Sequence, residues 1–468
     1  VTGSSHPPHH TAGRKPRPRV HKPQAPAATA AGPAAVKQAQ RREPGADREV
    51  RVISAAPRKA PASASPSPRG IGGWLGDTSL KAAQFNYFVV LGAVLALTTM
   101  GVFMVLSASS VEFITKGSGN SYSLFIKQGI FAVIGVVVML VAARIPSERI
   151  RSWSWIAYFL TVLALTAVLT PLGKGAGGNR NWIEIGSMTI QPSEFAKLML
   201  AIWCGMILER KSHLMHDFKH TMVPVVFPGG LLIVGLVLAG RDLGTAMILM
   251  LVIGTAMFLG GARKRYFAMA GSAVVLVVLG MALFARNRMD RITAWMGNCD
   301  DGSGLCDQAQ AGLYALASGG WFGVGPGQSR QKWSHVPEAQ NDFIFSILGE
   351  ELGLVGALFV VLLFALLAVA MYRIAVRTQS VFGRIAVGSI MVWIVGQAFI
   401  NIAMVAGMLP VIGIPLPFIS SGGSALIFTL AAVGVVLGFA RQQRIESGGP
   451  RSGNPIWNKV RGITSGAP

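Results

Sequence analysis

Charge is scarce in this chain: 13% of its residues are Asp, Glu, Lys or Arg, against ~25% in a soluble globular domain. So few ions cannot clothe a surface that faces water on all sides, and a conventional soluble enzyme is excluded. Acids are the scarcer sign, with 20 Asp and Glu against 42 Lys and Arg. Much of the basic excess sits in a terminal tail rather than in the apolar body, so no nucleic-acid partner is expected. Cysteine occurs three times, too seldom for a disulfide scaffold. Cys299 and Cys306 stand close in a polar loop, where a bridge and two free thiols are both open readings. An early apolar run is missing as well. The first begins near Phe85, too late and too long for a cleavable signal, and is expected to serve as an uncleaved anchor.

Hydrophobic residues, by contrast, make up 51% of the chain and come in long runs. Crossing ~30 Å of hydrocarbon takes roughly 20 mostly apolar residues in a helix. Runs of that kind predict spans near 86–108, 125–143, 153–171, 192–208, 222–240, 243–262, 266–285, 343–371, 385–408 and 414–440, the fourth being short and polar at its start. The expected fold is an all-α integral membrane protein with about ten transmembrane helices and a large extracytoplasmic loop, 286–342, between helices 7 and 8.

Basic residues in the short connections set the orientation. Arg144, Arg149 and Arg151, Arg210, Lys211 and Lys219, Arg263, Lys264 and Arg265, and Arg373, Arg377 and Arg384 fall on one side with the basic N-terminal tail and Arg441. That side is expected to be cytoplasm, with both termini in it and the loops at 109–124, 172–191 and 286–342 outside. Residues 1–84 then form a disordered basic cytoplasmic tail, too poor in large apolar residues to fold, ending in an interfacial lead-in with Trp74, Leu75 and Lys81. Its run from Arg14 to Arg19 suits anionic headgroups or a cytoplasmic protein, or is simply solvated. Residues 85–442 make the membrane domain, and 443–468 a cytoplasmic C-terminal tail.

An ionisable group in hydrocarbon costs on the order of 3 kcal/mol or more, so it needs a partner or a function. Between Gly173 and Trp182 glycines allow close backbone approach, and Lys174, Arg180 and Lys197 supply charge suited to phosphate. The competing reading has Pro192 opening a helix and Glu194 pairing with Lys197 three residues on. Arg241 and Asp242 join two spans with almost no loop, either as a mutual structural pair or with Arg241 facing a cavity and binding an anion. In the large loop Asp300 and Asp301 lie in a Gly/Ser turn, suited to act as a base, to hold a divalent cation, or merely to be solvated. Lys332, His335, Glu338 and Asp342 lead into the eighth span, which carries Glu350 and Glu351 near its outer end. The segment from Ile414 to Ser424, with Pro415, Pro417, Ser420 and Ser421, opens the tenth span; irregular backbone at that depth must be buried in protein or line a cavity.

The segments GNRNWI and QPSEFAKL, RDLGTA, ALASGGWFGVGPGQSRQKW, PEAQNDFIFSILGEELGLVG and PLPFISSGGSAL, in this order, resemble the FtsW/RodA (SEDS) family over roughly residues 85–442. The PFISSGGS form and the long basic tail are more similar to the cell-division branch than to the elongation branch, and tail and motif wording resemble actinobacterial members. The resemblance implies a peptidoglycan glycosyltransferase of the cytoplasmic membrane at the division septum. Such an enzyme polymerises lipid II on the outer face beside a class B penicillin-binding protein transpeptidase and other divisome membrane proteins, with cytoplasmic division proteins meeting the N-terminal tail. It implies an inverting reaction on an undecaprenyl-pyrophosphate-linked donor.

The family's essential aspartate maps, by ungapped counting back from Gly319-Gly320, onto Asp301. Asp307 stands where the family has an aromatic residue, which keeps Asp300 open as the alternative base. Arg180, Lys197, Arg241 and Lys332 are then the candidates to meet the leaving pyrophosphate. Trp182, Glu194, Asp242, Ser420 and Ser421 are further substrate-binding candidates, while His335, Glu338 and Asp342 position the loop or a metal. A divalent cation, Mg or Mn, is the candidate cofactor, with no organic cofactor implied. Two rivals stay open: a lipid II flippase, since intramembrane charge and broken helices also mark transport paths, and a division scaffold without its own polymerase activity. Charges crowd the outer ends of the spans rather than mid-depth, which favours surface chemistry.

Overall fold

The computed structural model describes residues 80–116, 122–176, 179–186, 188–215, 217–268, 271–272, 295–296, 305–332 and 340–446. The helices are α1 (Leu80–Lys116), α2 (Ser123–Ala142), α3 (Ser147–Leu169), α4 (Pro192–Lys211), α5 (Phe218–Met222), α6 (Leu231–Ala239), α7 (Leu243–Leu259), α8 (Leu305–Ser318), α9 (Ile344–Arg377), α10 (Val381–Val405) and α11 (Gly423–Glu446). Among the described residues, seven segments are helical, long and apolar enough to cross a membrane: Lys81–Ser109, Ser123–Ala142, Ser147–Leu169, Phe218–Ala239, Ile344–Arg377, Val381–Val405 and Gly423–Ile445. α7 is apolar but shorter, at 17 residues, and α4 has 20 residues with ionisable groups at its start. The predicted span 266–285 falls almost wholly outside the described residues.

Burial separates centre from rim. Only 22% of the most apolar stretch of α2 and 28% of that of α3 is buried, against 61% in α10 and 67% in α11. Val133, Val137, Leu160 and Leu163 stand exposed on the rim helices, as lipid-facing residues must. The fourth predicted span, weak by hydropathy, is central: every residue of α4 from Leu200 to Leu208 is buried. Its polar residues point into protein rather than into lipid, so mean hydropathy understates it. Pro192 occupies the first turn, where no backbone donor is needed. Trp203 stacks on Tyr158 of α3 with ring centroids 4.5 Å apart, and the Tyr158 hydroxyl donates to the Gly229 carbonyl at 3.0 Å.

Small residues bring α2 and α11 together. A Cβ on Gly434 would overlap the Met139 carbonyl, and one on Gly135 would lie 2.5 Å from Leu430 Cδ1. Gly434 and Gly438 repeat at four residues, the spacing that lets two membrane helices approach backbone to backbone.

The structure departs from the hydropathy pattern in local places. The connection 172–191, expected as loop in an all-α fold, carries a three-stranded antiparallel sheet in the order β1 (Gly173–Ala176), β2 (Asn179–Ile185), β3 (Met188–Ile190). Alternation of polar and apolar side chains in Asn-Arg-Asn-Trp-Ile-Glu-Ile supports the middle strand. The eighth span is broken inside α9, because Gly353 takes φ 68 and ψ −169, a backbone open essentially to glycine alone. The fifth is assembled from α5, a wide turn over Val225–Gly230, and α6, since Pro224 and Pro228 lack the donors an unbroken helix needs. The tenth predicted span, expected from 414, becomes helical only at Gly423 (α11), and 406–422 is irregular.

Candidate functional site

The irregular segment before α11 is held by polar groups reaching it from four directions. Ser420 Oγ accepts from Leu416 N and donates to the Asn341 carbonyl, both at 2.7 Å. Ser421 N donates to the Gln340 carbonyl at 2.9 Å. From α10, Asn401 Nδ2 donates to the carbonyls of Asp342 at 2.8 Å and Ile414 at 2.7 Å. Gln128 of α2 donates to the Ser420 carbonyl and accepts from Gly422 N. Gln191 N, at the entry to α4, donates to Ser424 Oγ at 3.2 Å. These bonds satisfy backbone that would otherwise be stranded at membrane depth, and they clasp the segments 340–342, 191–197 and 414–424 into one body. On α1, Gly101 leaves room for the backbone of Phe418 and Ile419, which a Cβ there would overlap. Phe418 itself holds φ 67.

One turn below this clasp Lys197 is buried and fully engaged. Its Nζ donates to Glu194 Oε1 at 2.8 Å and to Gln397 Oε1 at 2.9 Å, and it lies 4.9 Å from the centroid of the Trp393 ring. Gln397 passes the connection on, donating from Nε2 to the Pro415 carbonyl at 2.8 Å. Glu194 and Lys197 therefore pair three residues apart on one helix face, and the Lys197 charge is neutralised at its own site.

A second buried ion pair sits just before the break in α9. Lys332 Nζ donates to Glu351 Oε1 at 3.1 Å, to Ser107 Oγ at 3.1 Å and to the Gly327 carbonyl at 2.8 Å. Ser107 also donates to Glu351 Oε1 at 2.5 Å. Next to it Glu350 accepts from Ser329 Oγ at 2.5 Å and from Arg330 N at 2.9 Å. The glycine-rich turn from Gly319 to Gly327 makes this possible. Cβ atoms on Gly319 or Gly323 would overlap the backbone of Gly349–Glu351, while Val324 N and Gly325 N donate to the carbonyls of Glu350 and Glu351 at 3.0 and 3.1 Å. The carbonyls left open by the break thus find partners in the turn.

The sheet and the α6–α7 junction form a third unit. Asp242 caps α7, accepting from Thr245 N at 2.9 Å and Thr245 Oγ1 at 2.7 Å, and it also accepts from Asn181 Nδ2 at 3.0 Å. Its carboxylate is therefore spent on the helix start and the sheet, not on Arg241. Arg180 donates to the carbonyls of Gly173, Leu169 and Thr170 at the end of α3, where a cation complements the helix dipole. Trp182 is half-buried on β2 opposite Lys174, and Lys174 pairs with Glu184. Arg241, at φ 65, is exposed and makes no side-chain hydrogen bond or ion pair among the described residues.

Of the four cations expected to meet pyrophosphate, Arg180, Lys197 and Lys332 are already engaged, while Arg241 has no side-chain partner among the described residues. Asp342 is half-buried where the clasp meets α9. Asp300, Asp301, His335, Glu338 and Cys299 lie outside the described residues. Both flanks of the acidic turn are described, and both reach Gly407: Trp295 Nε1 donates to its carbonyl at 2.9 Å, and Leu313 of α8 packs 3.4 Å from where its Cβ would be. Gly312 of the same helix abuts the Phe343 ring. Among the described residues no three His, Cys, Asp or Glu side chains converge on a metal position.

Ser107, Gln128, Ser329, Gln397 and Asn401 were not singled out in the sequence, yet they carry the networks. Gln397 and Asn401 were accessible to reasoning, being polar residues four apart inside an apolar span. Ser107 and Ser329 were not, since a serine in a helix end or loop carries no signal by itself.

A family model described as cell cycle protein, for FtsW, RodA and SpoVE, matches residues 88–445. The probable peptidoglycan glycosyltransferase FtsW of Mycobacterium tuberculosis is 35% identical over 384 residues, 82% of this chain and 72% of that protein. Stage V sporulation protein E of Bacillus subtilis is 38% identical over 354 residues, 75% of this chain and 95% of that protein. Among solved structures, a chain from a peptidoglycan synthase complex, studied for its coordination of polymerization and crosslinking, aligns with a TM-score of 0.64 at 24% identity over 76% of this chain and 97% of that one. The rod shape determining protein RodA of Thermus thermophilus aligns with a TM-score of 0.56 at 23% identity, over 76% and 96%. Both are likenesses of fold.

Proposed function

The chain belongs to the FtsW/RodA/SpoVE family of cell cycle proteins, and from that premise we propose that it is a peptidoglycan glycosyltransferase that polymerises lipid II at the outer face of the cytoplasmic membrane. The acceptor's GlcNAc 4-hydroxyl attacks the anomeric carbon of the donor MurNAc. A new C–O bond forms as the bond to undecaprenyl pyrophosphate breaks, the configuration inverts, and the hydroxyl proton passes to the Asp301 carboxylate, with Asp300 the alternative. A base must come within hydrogen-bond reach of that hydroxyl, directly or through one water. The observation that carries the reading is that Trp295, before the acidic pair in sequence, and Leu313, after it, both meet Gly407.

Negative charge grows on the pyrophosphate as it leaves, and a preformed cation there lowers the barrier. Of the four candidates, Arg241 has a guanidinium without a partner among the described residues, and its backbone neighbour Asp242 is immobilised by Asn181 and Thr245. Lys197 and Lys332 act instead as positioning residues that keep the clasp and the broken helix in register. Mg or Mn is the proposed cofactor; the carboxylates of Asp300 and Asp301 would hold it and it would supply positive charge to the departing pyrophosphate, and dependence of polymer yield on added cation after EDTA treatment reads it. Septal location and a class B penicillin-binding protein partner complete the reading; the fold neighbour from a polymerization and crosslinking complex supports the latter.

Incubating purified protein with lipid II, alone and with its cognate transpeptidase, and resolving glycan chains on gels tests the proposal. Polymer in either lane is expected. A break inside α9 and a buried ion pair in α4 are features that transport paths also have. Absence of polymer in both lanes together with transbilayer movement of a fluorescent lipid II would replace the transferase by a flippase.

A further inference from the structure

At the end of the molecule opposite the clasp, α2 and α11 leave a cleft of about 310 Å³ lined by Tyr87, Leu140, Ala143, Arg144, Arg441 and Arg444. Its size is at the lower edge of the ~300–1,000 Å³ usual for small-ligand clefts. The glycine contact builds it. Gly434 and Gly438 pull α11 against Met139, Ala142 and Ala143, and Arg441 follows at the seventh position after Gly434, on the same helix face. Arg444 lies one turn further, so both arginines emerge beneath the end of α2, where Arg144 stands.

Basic residues on the cytoplasmic side of spans serve topology, but topology asks only for charge, not for convergence. Among the described residues no carboxylate lines the cleft. None of the three guanidinium groups makes a hydrogen bond or ion pair among the described residues. Elsewhere at this end Arg151 has found Glu209 at 2.9 Å, so an acid is used where one is in reach. Three like charges around one cleft repel unless an anion joins them, and the forked guanidinium matches phosphate oxygens in pairs. Beside the cleft, the outer face of α2 exposes Leu140 and Val141 and, one turn further from Arg144, Val137, an apolar track on which acyl chains can lie.

We propose that this cleft binds a phosphate diester, supplied by the headgroup of an anionic membrane phospholipid in the cytoplasmic leaflet. The headgroup phosphate sits among Arg144, Arg441 and Arg444, and its chains run along the rim of α2. The site is about 20 Å along α2 from Gln128, by helix rise, and is separate from the outer-face chemistry.

Full-length protein in detergent, incubated with phosphatidylglycerol, phosphatidylcholine or inorganic phosphate, tests it by native mass spectrometry of retained lipid and by thermal unfolding. Wild type is expected to retain phosphatidylglycerol at least tenfold over phosphatidylcholine, and the variant Arg144→Gln/Arg441→Gln/Arg444→Gln to lose that preference. The variant with Lys at the same three positions keeps the charge and removes the fork; it is expected to fall between them, and it carries the test should the Gln variant not fold. Equal preference in wild type and both variants overturns the site. Protection by inorganic phosphate as strong as that by phosphatidylglycerol overturns the lipid source.

Discussion

The Trp295 indole donates to the Gly407 carbonyl across 2.9 Å, joining the large loop to the turn that ends α10. Gly407 sits at φ 75, and Leu313 of α8 packs on its other side. The chain between Trp295 and α8 contains Asp300 and Asp301, so the residues that flank the proposed base in sequence meet at one glycine. Replacing Trp295 by Phe keeps the ring and deletes the donor. Polymerisation of lipid II is expected to fall severalfold with little change in thermal stability, because the bond is exposed; unchanged polymer yield would show that the acidic turn is held without it.

Asp301→Ala is expected to lower polymerisation by on the order of 10²–10⁴, the range for loss of a general base, while the protein elutes and unfolds as wild type. Asp300→Ala is expected to keep most activity. The reverse ranking in a gel assay of both variants would move the base by one residue.

Much of this architecture was legible in the sequence, and the failures have physical causes. Runs of apolar residues give α1, α2, α3 and α10 because lipid-facing and core-facing residues are both apolar there, and length alone decides. α4 looked weak because Glu194 and Lys197 lower its hydropathy, although they neutralise each other within it. The break at Gly353 is a matter of φ, to which hydropathy is blind. The Lys332–Glu351 pair spans nineteen positions and shares Ser107, 225 positions away from Lys332, so no local pattern announces it. Arg180, a phosphate candidate by sequence, donates to backbone carbonyls at the end of α3, an arrangement with no local sequence signal, and Asp242, a candidate partner of Arg241, caps α7 instead.

The two buried ion pairs predict an asymmetry. Lys332→Met leaves Glu351 charged, buried and short of a donor, which is expected to destabilise by about 3–5 kcal/mol. Lys332→Met/Glu351→Gln removes both charges and is expected to recover more than half of that loss, since Ser107 still has an oxygen to meet. Thermal unfolding in detergent reads both. A double variant no more stable than the single one would mean that the pair contributes through Gly327 and Ser107 rather than through its charge. The same comparison at Lys197 and Glu194 is expected to follow, with Gln397, which accepts from Lys197, keeping its second donor Trp393 Nε1.

Gly101 and Gly92 lie on the same helix and separate two effects of adding a methyl group. At Gly92 nothing stands within 4 Å of the new Cβ, so Gly92→Ala is expected to be neutral or to stabilise by up to about 1 kcal/mol through helix propensity. At Gly101 the methyl meets the Phe418 carbonyl and comes 2.6 Å from Ile419 Cα. Both obstacles are backbone, so no rotamer change relieves them, and Phe418 is already left-handed. Gly101→Ala is therefore expected to cost about 1–3 kcal/mol, as overpacking does. It should also cut polymerisation by more than its loss of folded protein explains, because the displaced segment is the one that Ser420 and Asn401 hold against Asn341 and Asp342. Matching unfolding temperatures and polymer yields for the two alanine variants would mean that α1 does not press on the clasp.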